Sequence, residues 1–86
     1  MKPPRMTLME KIKVRTSDYP PASAAFDELV GSIKRQGVLV PVFTDRQGFC
    51  TGGHYRLWAA QRLKMEEVPV VVAETREEML DWFLGK

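Results

Sequence analysis

The sequence is poor in the residues that build disulfides and zinc sites. Its 86 residues contain a single cysteine, Cys50, and a single histidine, His54. One cysteine excludes a disulfide within the chain and is typical of proteins from a reducing compartment. One histidine and one cysteine also fall short of the three or four protein ligands that zinc sites use. We therefore expect neither a disulfide scaffold nor a metal site.

The sequence also lacks a long hydrophobic run and a strong charge of one sign. No apolar stretch approaches the ~18 residues of a membrane-spanning helix, and residues 1–9 lack the hydrophobic region of a signal peptide. Thirteen basic and eleven acidic residues leave a net charge of +2, which does not by itself indicate a nucleic-acid-binding protein. We expect a globular, cytoplasmic protein without a membrane partner, in which any contact with DNA depends on a local patch.

Length and hydrophobic periodicity predict one domain. Residues 1–10 include Pro3-Pro4 and no periodic pattern, so we expect a flexible N-terminal arm followed by a single domain over residues 11–86. The pattern predicts strands at Lys11–Thr16, Val38–Thr44, Phe49–Thr51 and Val68–Val72, with a loop at Ser17–Pro21. It predicts helices from near Ser23 to the residue before Gly37, from Gly53 to Leu63, and from Thr75 to Leu84, the last closed by Gly85.

Two adjacent glycines, Gly52 and Gly53, lead directly into the predicted helix over residues 53–63. Glycine has no Cβ, so its backbone can adopt left-handed angles and approach another group closely. The first N–H groups of a helix and the positive end of its dipole form an anion site. Phosphate is therefore the expected ligand, with Arg56 pointing inward from the first turn.

The position of Arg56 fits two hypotheses. In the structural one, Arg56 pairs with a carboxylate or caps carbonyl groups beneath the sheet, and the glycines serve only a tight turn. In the functional one, its guanidinium and the free N–H groups hold one phosphate between them. Sequence spacing leaves both hypotheses open.

The motif Gly53-His54-Tyr55-Arg56, followed by Ala59-Ala60 and Val68-Pro69-Val70, resembles the phosphate-binding segment of the ParB/sulfiredoxin superfamily. The segment from Ser32 through Gly37 to Pro41 and Val42 resembles the helix, glycine and strand of the same family. The resemblance covers Ile12 to Val72 and implies an α/β (α+β) fold, a small mixed sheet of about four strands with three helices. It implies a nucleotide or phosphate site formed by Gly37, Pro41, Gly52, Gly53, His54, Tyr55 and Arg56.

The chain departs from both branches of this superfamily. His54 stands where sulfiredoxins carry the reactive cysteine, and Tyr55 replaces their histidine, so we do not expect repair of sulfinic acids. The motif keeps only the first and last residues of the Gly-Glu-Arg-Arg box of the partition proteins. We expect a stand-alone module without the helix-turn-helix of those proteins.

The resemblance implies a nucleotide of the CTP or ATP class as ligand, with Mg²⁺ as a candidate companion. It implies an adaptor or switch in DNA-related processes such as partition or regulation, with DNA or a DNA-bound protein as a candidate partner. The alternative is a ParB-like nuclease or a nucleotide-dependent phosphotransferase, which needs a metal-binding acidic pair that the sequence does not expose. Whether the protein is an enzyme stays open.

Three further features concern packing. Trp58 falls on the polar side of its helix, four residues before Arg62, so we expect either cover by the C-terminal helix or a base-stacking platform, with the ring able to stack on Arg62. Cys50, within a short predicted strand, is expected to be a packed, inert thiol. The apolar residues of the last helix span about 200°, wider than a sheet face requires. We therefore expect a homodimer or a docked partner through this helix and Trp58.

Overall fold

The computed structural model describes residues 3–15 and 23–85. Across these residues the chain forms four strands and three α-helices, so the predicted fold class is confirmed. The strands are β1 (Arg5–Leu8), β2 (Val42–Thr44), β3 (Cys50–Gly52) and β4 (Glu67–Val72). The helices are α1 (Ala24–Gln36), α2 (His54–Arg62) and α3 (Arg76–Leu84).

The four strands form one mixed sheet in the order β1-β4-β2-β3. Strand β4 pairs parallel with β2, and the pairs β1 with β4 and β2 with β3 are antiparallel. Val42 lies opposite Val70, and Phe43 opposite Val71. Because side chains alternate along a strand, these two pairs face opposite sides of the sheet.

Helices cover both faces of the sheet. On one face, α2 packs on a core formed by Ile12, Val42, Cys50, Leu57, Ala60, Val68 and Val70. Helix α1 packs in turn on the outer side of α2, through a cluster of Phe26, Ile33, Trp58 and Ala59. On the other face, Met79 and Trp82 of α3 pack on Phe43, Val71 and Ala73. Helix α2 is therefore enclosed between the sheet and α1.

Hydroxyl caps and glycines set the boundaries of α1 and α3. The Ser23 hydroxyl accepts a hydrogen bond from the Phe26 N–H at the start of α1, and the Thr75 hydroxyl accepts one from the Glu78 N–H at the start of α3. Gly37 and Gly85, which follow α1 and α3, have positive φ angles of 77° and 75°. The predicted ends of both helices are confirmed.

The first strand lies earlier than the sequence predicts. Arg5–Leu8 forms β1, so the prediction of a flexible arm is wrong for these residues. The strand predicted at Lys11–Thr16 is also wrong within the described range, where Met9–Lys11 is a 3-10 turn and Lys13 makes only an isolated bridge to Phe49. Edge strand β1 buries neither of its faces, and the alternation of Met6 and Leu8 with polar residues is too short to identify a strand from the sequence. The predicted loop at Ser17–Pro21 lies outside the described residues.

The second strand is shorter than predicted. Only Val42–Thr44 pairs within the sheet, whereas the prediction covered Val38–Thr44. Pro41 has no N–H to donate to a strand ladder and marks the point where pairing begins. The preceding residues form an irregular segment in which Leu39 is 72% exposed.

Trp58 is buried, with 9% of its surface exposed, and it packs against Phe26 and Ile33 of α1. The predictions that Trp58 faces outward, that the C-terminal helix covers it and that it supports a dimer interface are therefore wrong. Arg62 forms a 3.1 Å ion pair with Asp27 of α1. A helix enclosed on two sides buries residues around most of its circumference, so its apolar arc alone does not identify its second neighbour.

The thiol of Cys50 occupies the predicted packed position. The residue is 5% exposed, and its Sγ donates a hydrogen bond to the Gly52 carbonyl at 3.2 Å. Burial raises the pKa of Cys50, against the opposing effect of the Arg56 charge. A thiol with a raised pKa is a poor nucleophile at neutral pH.

No helix in the described ranges has the length and apolar character needed to cross a membrane.

Lys64 closes α2 in the left-handed region, with a φ of 56°. The Lys64 N–H bonds to the Gln61 carbonyl and the Met65 N–H to the Ala60 carbonyl, which together form a Schellman motif. Glycine is favoured at this position because a Cβ is strained there.

We predict that Lys64→Gly raises the free energy of unfolding by about 0.5–1 kcal/mol, because relief of strain exceeds the added chain entropy of the unfolded state. Urea unfolding followed by circular dichroism measures the change. The control is Lys34→Gly, an exposed position within α1, which should lower stability by about 1 kcal/mol. Equal destabilisation by both variants would contradict the prediction.

We predict that Cys50 in the native protein reacts with Ellman's reagent at pH 8 much more slowly than free cysteine, because the thiol is buried and its pKa is raised. In denaturing urea the same sample should release one equivalent of thiol rapidly. A native rate equal to that of free cysteine would show that the packing described for this strand is absent in solution.

Candidate functional site

Helix α2 begins at the paired glycines, as predicted. Gly53 is its N-cap, with a φ of 81° and a ψ of 25°, and within the described ranges this N-cap has no side-chain hydrogen bond. The first turn of α2 contains no acidic residue, whereas the first turns of α1 and α3 contain acidic residues and a capping hydroxyl. The first intrahelical bond runs from the Leu57 N–H to the Gly53 carbonyl. The positive end of α2 is thus left without a protein anion in its first turn.

The two glycines accommodate different protein groups. A Cβ on Gly52 would lie 2.6 Å from the Met79 Sδ, so Gly52 lets α3 approach the sheet. A Cβ on Gly53 would lie 2.8 Å from the Arg56 Nη2 and 3.2 Å from the Val42 Cα. Protein atoms therefore fill the space that both missing side chains leave. Any anion site depends on the N–H groups of α2 and on the Arg56 guanidinium.

Arg56 folds back toward the start of its own helix. Its Nη2 donates a hydrogen bond to the Pro41 carbonyl at 3.1 Å, which is the carbonyl capping of the structural hypothesis. Its Nε is buried and has no hydrogen-bond partner in the described part of the chain. Burial lowers the pKa of Arg56, yet a guanidinium stays charged at neutral pH. Capping at Pro41 therefore uses only part of the donor capacity of this side chain.

Arg56 also lines a cleft of about 200 Å³ between α1 and the segment that follows it. The other lining residues are Leu29, Ser32, Ile33, Gly37, Val38, Leu39 and Val40. A Cβ on Gly37 would touch nothing within 4 Å, so its positive φ is what requires glycine there. The fold thus brings Gly37 and Arg56 to one cleft, with Pro41 held to Arg56 at its side.

Tyr55 projects toward the N-terminal part of α1, and His54 lies beside Trp58 of its own helix. The His54 ring lies 5.6 Å from that of Trp58, and the Tyr55 ring meets Phe26 edge-on at 6.1 Å. Tyr55 remains 52% exposed. The predicted site residues therefore fall into three places: the cleft and its rim (Gly37, Pro41, Gly53, Arg56), the aromatic contacts with Phe26 and Trp58 (Tyr55, His54), and the contact with α3 (Gly52).

Sequence reasoning missed Ser32 and Leu39 as lining residues of the cleft. Because a strand was predicted over Val38–Thr44, the irregular segment that contains Leu39 was not recognised. The available signal was Pro41, because a residue without an N–H is suited to the start of a paired strand and not to its interior.

Within residues 3–15 and 23–85, no three His, Cys, Asp or Glu side chains come together in a way that could hold a metal ion.

The similarity of this chain to known proteins covers the elements described above. The family model for the ParB N-terminal domain matches residues 6–85. The ParB-like nuclease domain-containing protein YnaK of Escherichia coli K12 is 49% identical over 45 residues, which make up 52% of each chain. The uncharacterized protein ORF326b of Acidianus two-tailed virus is 36% identical over 62 residues, 72% of this chain and 19% of that protein. The chain thus spans about half of YnaK and a smaller part of the viral protein.

Solved structures share the fold. The partition protein ParB of Caulobacter crescentus in complex with CTP-γ-S superposes with a TM-score of 0.67 at 23% identity, over 96% of this chain and 53% of that one. The same protein complexed to the centromeric parS site gives 0.67 at 26% identity, over 93% and 46%. Sulfiredoxin of Arabidopsis thaliana also gives 0.67, at 21% identity, over 94% and 96%.

The family match runs from β1 through α3 and includes every element that builds the cleft. The chain belongs to the ParB N-terminal domain family, within the ParB/sulfiredoxin superfamily.

Proposed function

We propose that this domain binds a nucleotide whose phosphates lie at the start of α2, and that it acts as an adaptor or switch in DNA-related processes. The observation that carries the proposal is the helix start without a side-chain cap, with the Arg56 guanidinium folded back beside it. Both groups supply donors, and neither is neutralised by an acid in that turn.

The two groups are suited to one phosphate. Backbone N–H groups at a helix start bind anions together with the dipole, and a guanidinium adds charge-assisted hydrogen bonds. Such bonds are stronger where water is partly excluded, and Arg56 is half-buried. The hydrogen bond to Pro41 holds the guanidinium near Gly53, so part of the cost of ordering this long side chain is met before a ligand arrives.

The cleft beside Arg56 gives the nucleoside a place to bind. Its lining includes the apolar residues Leu29, Ile33 and the segment 38–40. Small-molecule sites combine such an apolar lining with a few fixed polar groups. The complex of Caulobacter crescentus ParB with CTP-γ-S supports a nucleoside triphosphate of the CTP class as the first candidate, with ATP next. We propose that Mg²⁺, where it takes part, binds mainly through the phosphates.

The DNA-related role is supported by the complex of the same ParB protein with parS. We propose DNA or a DNA-bound protein as the macromolecular partner. A nuclease is the second candidate, and the observation that favours it is the 49% identity to YnaK. The two candidates differ in whether DNA or nucleotide is consumed.

We predict that isothermal titration of the wild-type protein detects CTP or ATP in the presence of Mg²⁺, and that Arg56→Ala weakens this binding by roughly 10–150-fold. The estimate follows from about 1.5–3 kcal/mol for a hydrogen bond to a charged group. Arg56→Lys should recover only part of the affinity, because lysine keeps the positive charge but lacks the forked N–H donors of the guanidinium.

The matched control is Arg62→Ala on the same helix. Arg62 is exposed and pairs with Asp27, so its removal should change the affinity less than about twofold. Circular dichroism first confirms that each variant is folded. Absence of binding at millimolar nucleotide, or loss of binding in Arg62→Ala and not in Arg56→Ala, would contradict the phosphate site.

We predict that the protein leaves supercoiled plasmid, single-stranded DNA and the nucleotide intact during prolonged incubation with Mg²⁺. Gel electrophoresis and nucleotide chromatography measure the products, and samples with EDTA are the control. Cleavage or hydrolysis that requires Mg²⁺ and disappears in His54→Ala would favour the enzyme over the adaptor, since His54 is the histidine at the helix start.

A further inference from the structure

Helix α3 presents three large apolar side chains on its outer side. Leu80, Phe83 and Leu84 are 50%, 54% and 68% exposed, and we call these three residues the outer stripe. Their spacing of three and four residues places them along one side of the helix. Met79 and Trp82 form the side that packs on the sheet. Phe83 lies at the edge between the two sides, because its ring also meets the Phe43 ring edge-on at 5.9 Å, whereas Leu80 and Leu84 lie on the outer side.

Acidic residues border the outer stripe. Glu77 and Asp81 are exposed, and each lies three or four residues from a member of the stripe on the same helix. Helix α3 contains three acidic residues and one arginine, Arg76, which lies four residues before Leu80, so the border of the stripe is acidic in net charge within a chain whose net charge is +2. An exposed apolar patch with a charged border is typical of an interaction site.

The acidic border disfavours a second copy of this chain as the occupant. A two-fold interface uses the same surface on both subunits. Packing two outer stripes together would therefore bring Glu77, Asp81 and Arg76 of both copies to one interface, where the two acids of each copy outnumber its single arginine and repulsion dominates. A partner with basic residues beside its apolar face would instead meet complementary charge.

We propose that the outer stripe binds an amphipathic helix of another protein, with an apolar face bordered by lysine or arginine. An apolar helix face that anchors through positions three and four residues apart is a known mode of peptide recognition. The basic border would pair with Glu77 and Asp81 at the rim, where charge selects the partner. This surface lies on the face of the sheet opposite α2, so the evidence for the proposal does not rest on the nucleotide site.

Two designed helical peptides test the proposal by fluorescence anisotropy at low salt. Both carry the same leucine stripe and a fluorophore, and they differ only in a lysine or a glutamate border. The lysine peptide should bind roughly tenfold more tightly, from rim pairs worth up to about 1 kcal/mol each, and the difference should shrink as salt is raised.

Variants locate the binding. Leu80→Asp and, separately, Leu84→Asp should abolish binding of the lysine peptide, and both positions are at least half exposed, so the fold should survive. The control is Met6→Asp, at another apolar residue that is 60% exposed, which should bind like the wild type. The double variant Glu77→Lys with Asp81→Lys should prefer the glutamate peptide.

Three results would overturn the proposal. One is that neither peptide binds, or that both bind equally at low salt. Another is that Leu80→Asp and Leu84→Asp, folded by circular dichroism, bind the lysine peptide as well as wild type does. The third is a dimer of the wild type in light scattering that Leu80→Asp converts to a monomer, which would assign the outer stripe to self-association.

Discussion

The enclosure of α2 between the sheet and α1 is the packing on which the rest of the structure depends. Leu57 and Ala60 face the sheet, and Trp58 and Ala59 face α1, so four consecutive residues are buried on two sides. The paired alanines add little bulk and let both neighbours approach closely. A helix held on two sides cannot rotate without losing one set of contacts. The direction of its first N–H groups is therefore fixed by residues that take no part in the candidate site.

Within that frame, Gly53 and Arg56 depend on each other. The left-handed N-cap needs glycine, and the absence of its Cβ also leaves room for the guanidinium three residues later. The guanidinium then reaches the Pro41 carbonyl and ties the start of α2 to the segment before β2. A residue with a side chain at position 53 would disturb the helix start, the arginine and that connection together. The structural and the functional hypotheses for Arg56 are thus compatible, because they use different N–H groups.

Sequence reasoning predicted those features that depend on local chemistry. The helix ends at Gly37 and Gly85, the cap at Thr75 and the start of α2 at the paired glycines each follow from a few neighbouring residues. Features set by tertiary partners were not predictable in the same way. Strand β1 gains its structure from pairing with β4, and periodicity does not report pairing in an exposed strand. The neighbours of Trp58 and Arg56 come from α1 and from Pro41, which lie far away along the chain.

Gly52 and Gly53 connect the two faces of the sheet, because Gly52 contacts the helix on one face and Gly53 begins the helix on the other. Met79 of α3 occupies the space where a side chain on Gly52 would lie, and the next residue is the N-cap of α2. Helix α3 contains no buried residue and is anchored mainly through Met79 and Trp82, whereas α2 is enclosed. An element with few buried contacts shifts at a lower free-energy cost than an enclosed one. A displacement of α3 would therefore first change the Met79 contact at Gly52, one residue from the helix start where we place the phosphate.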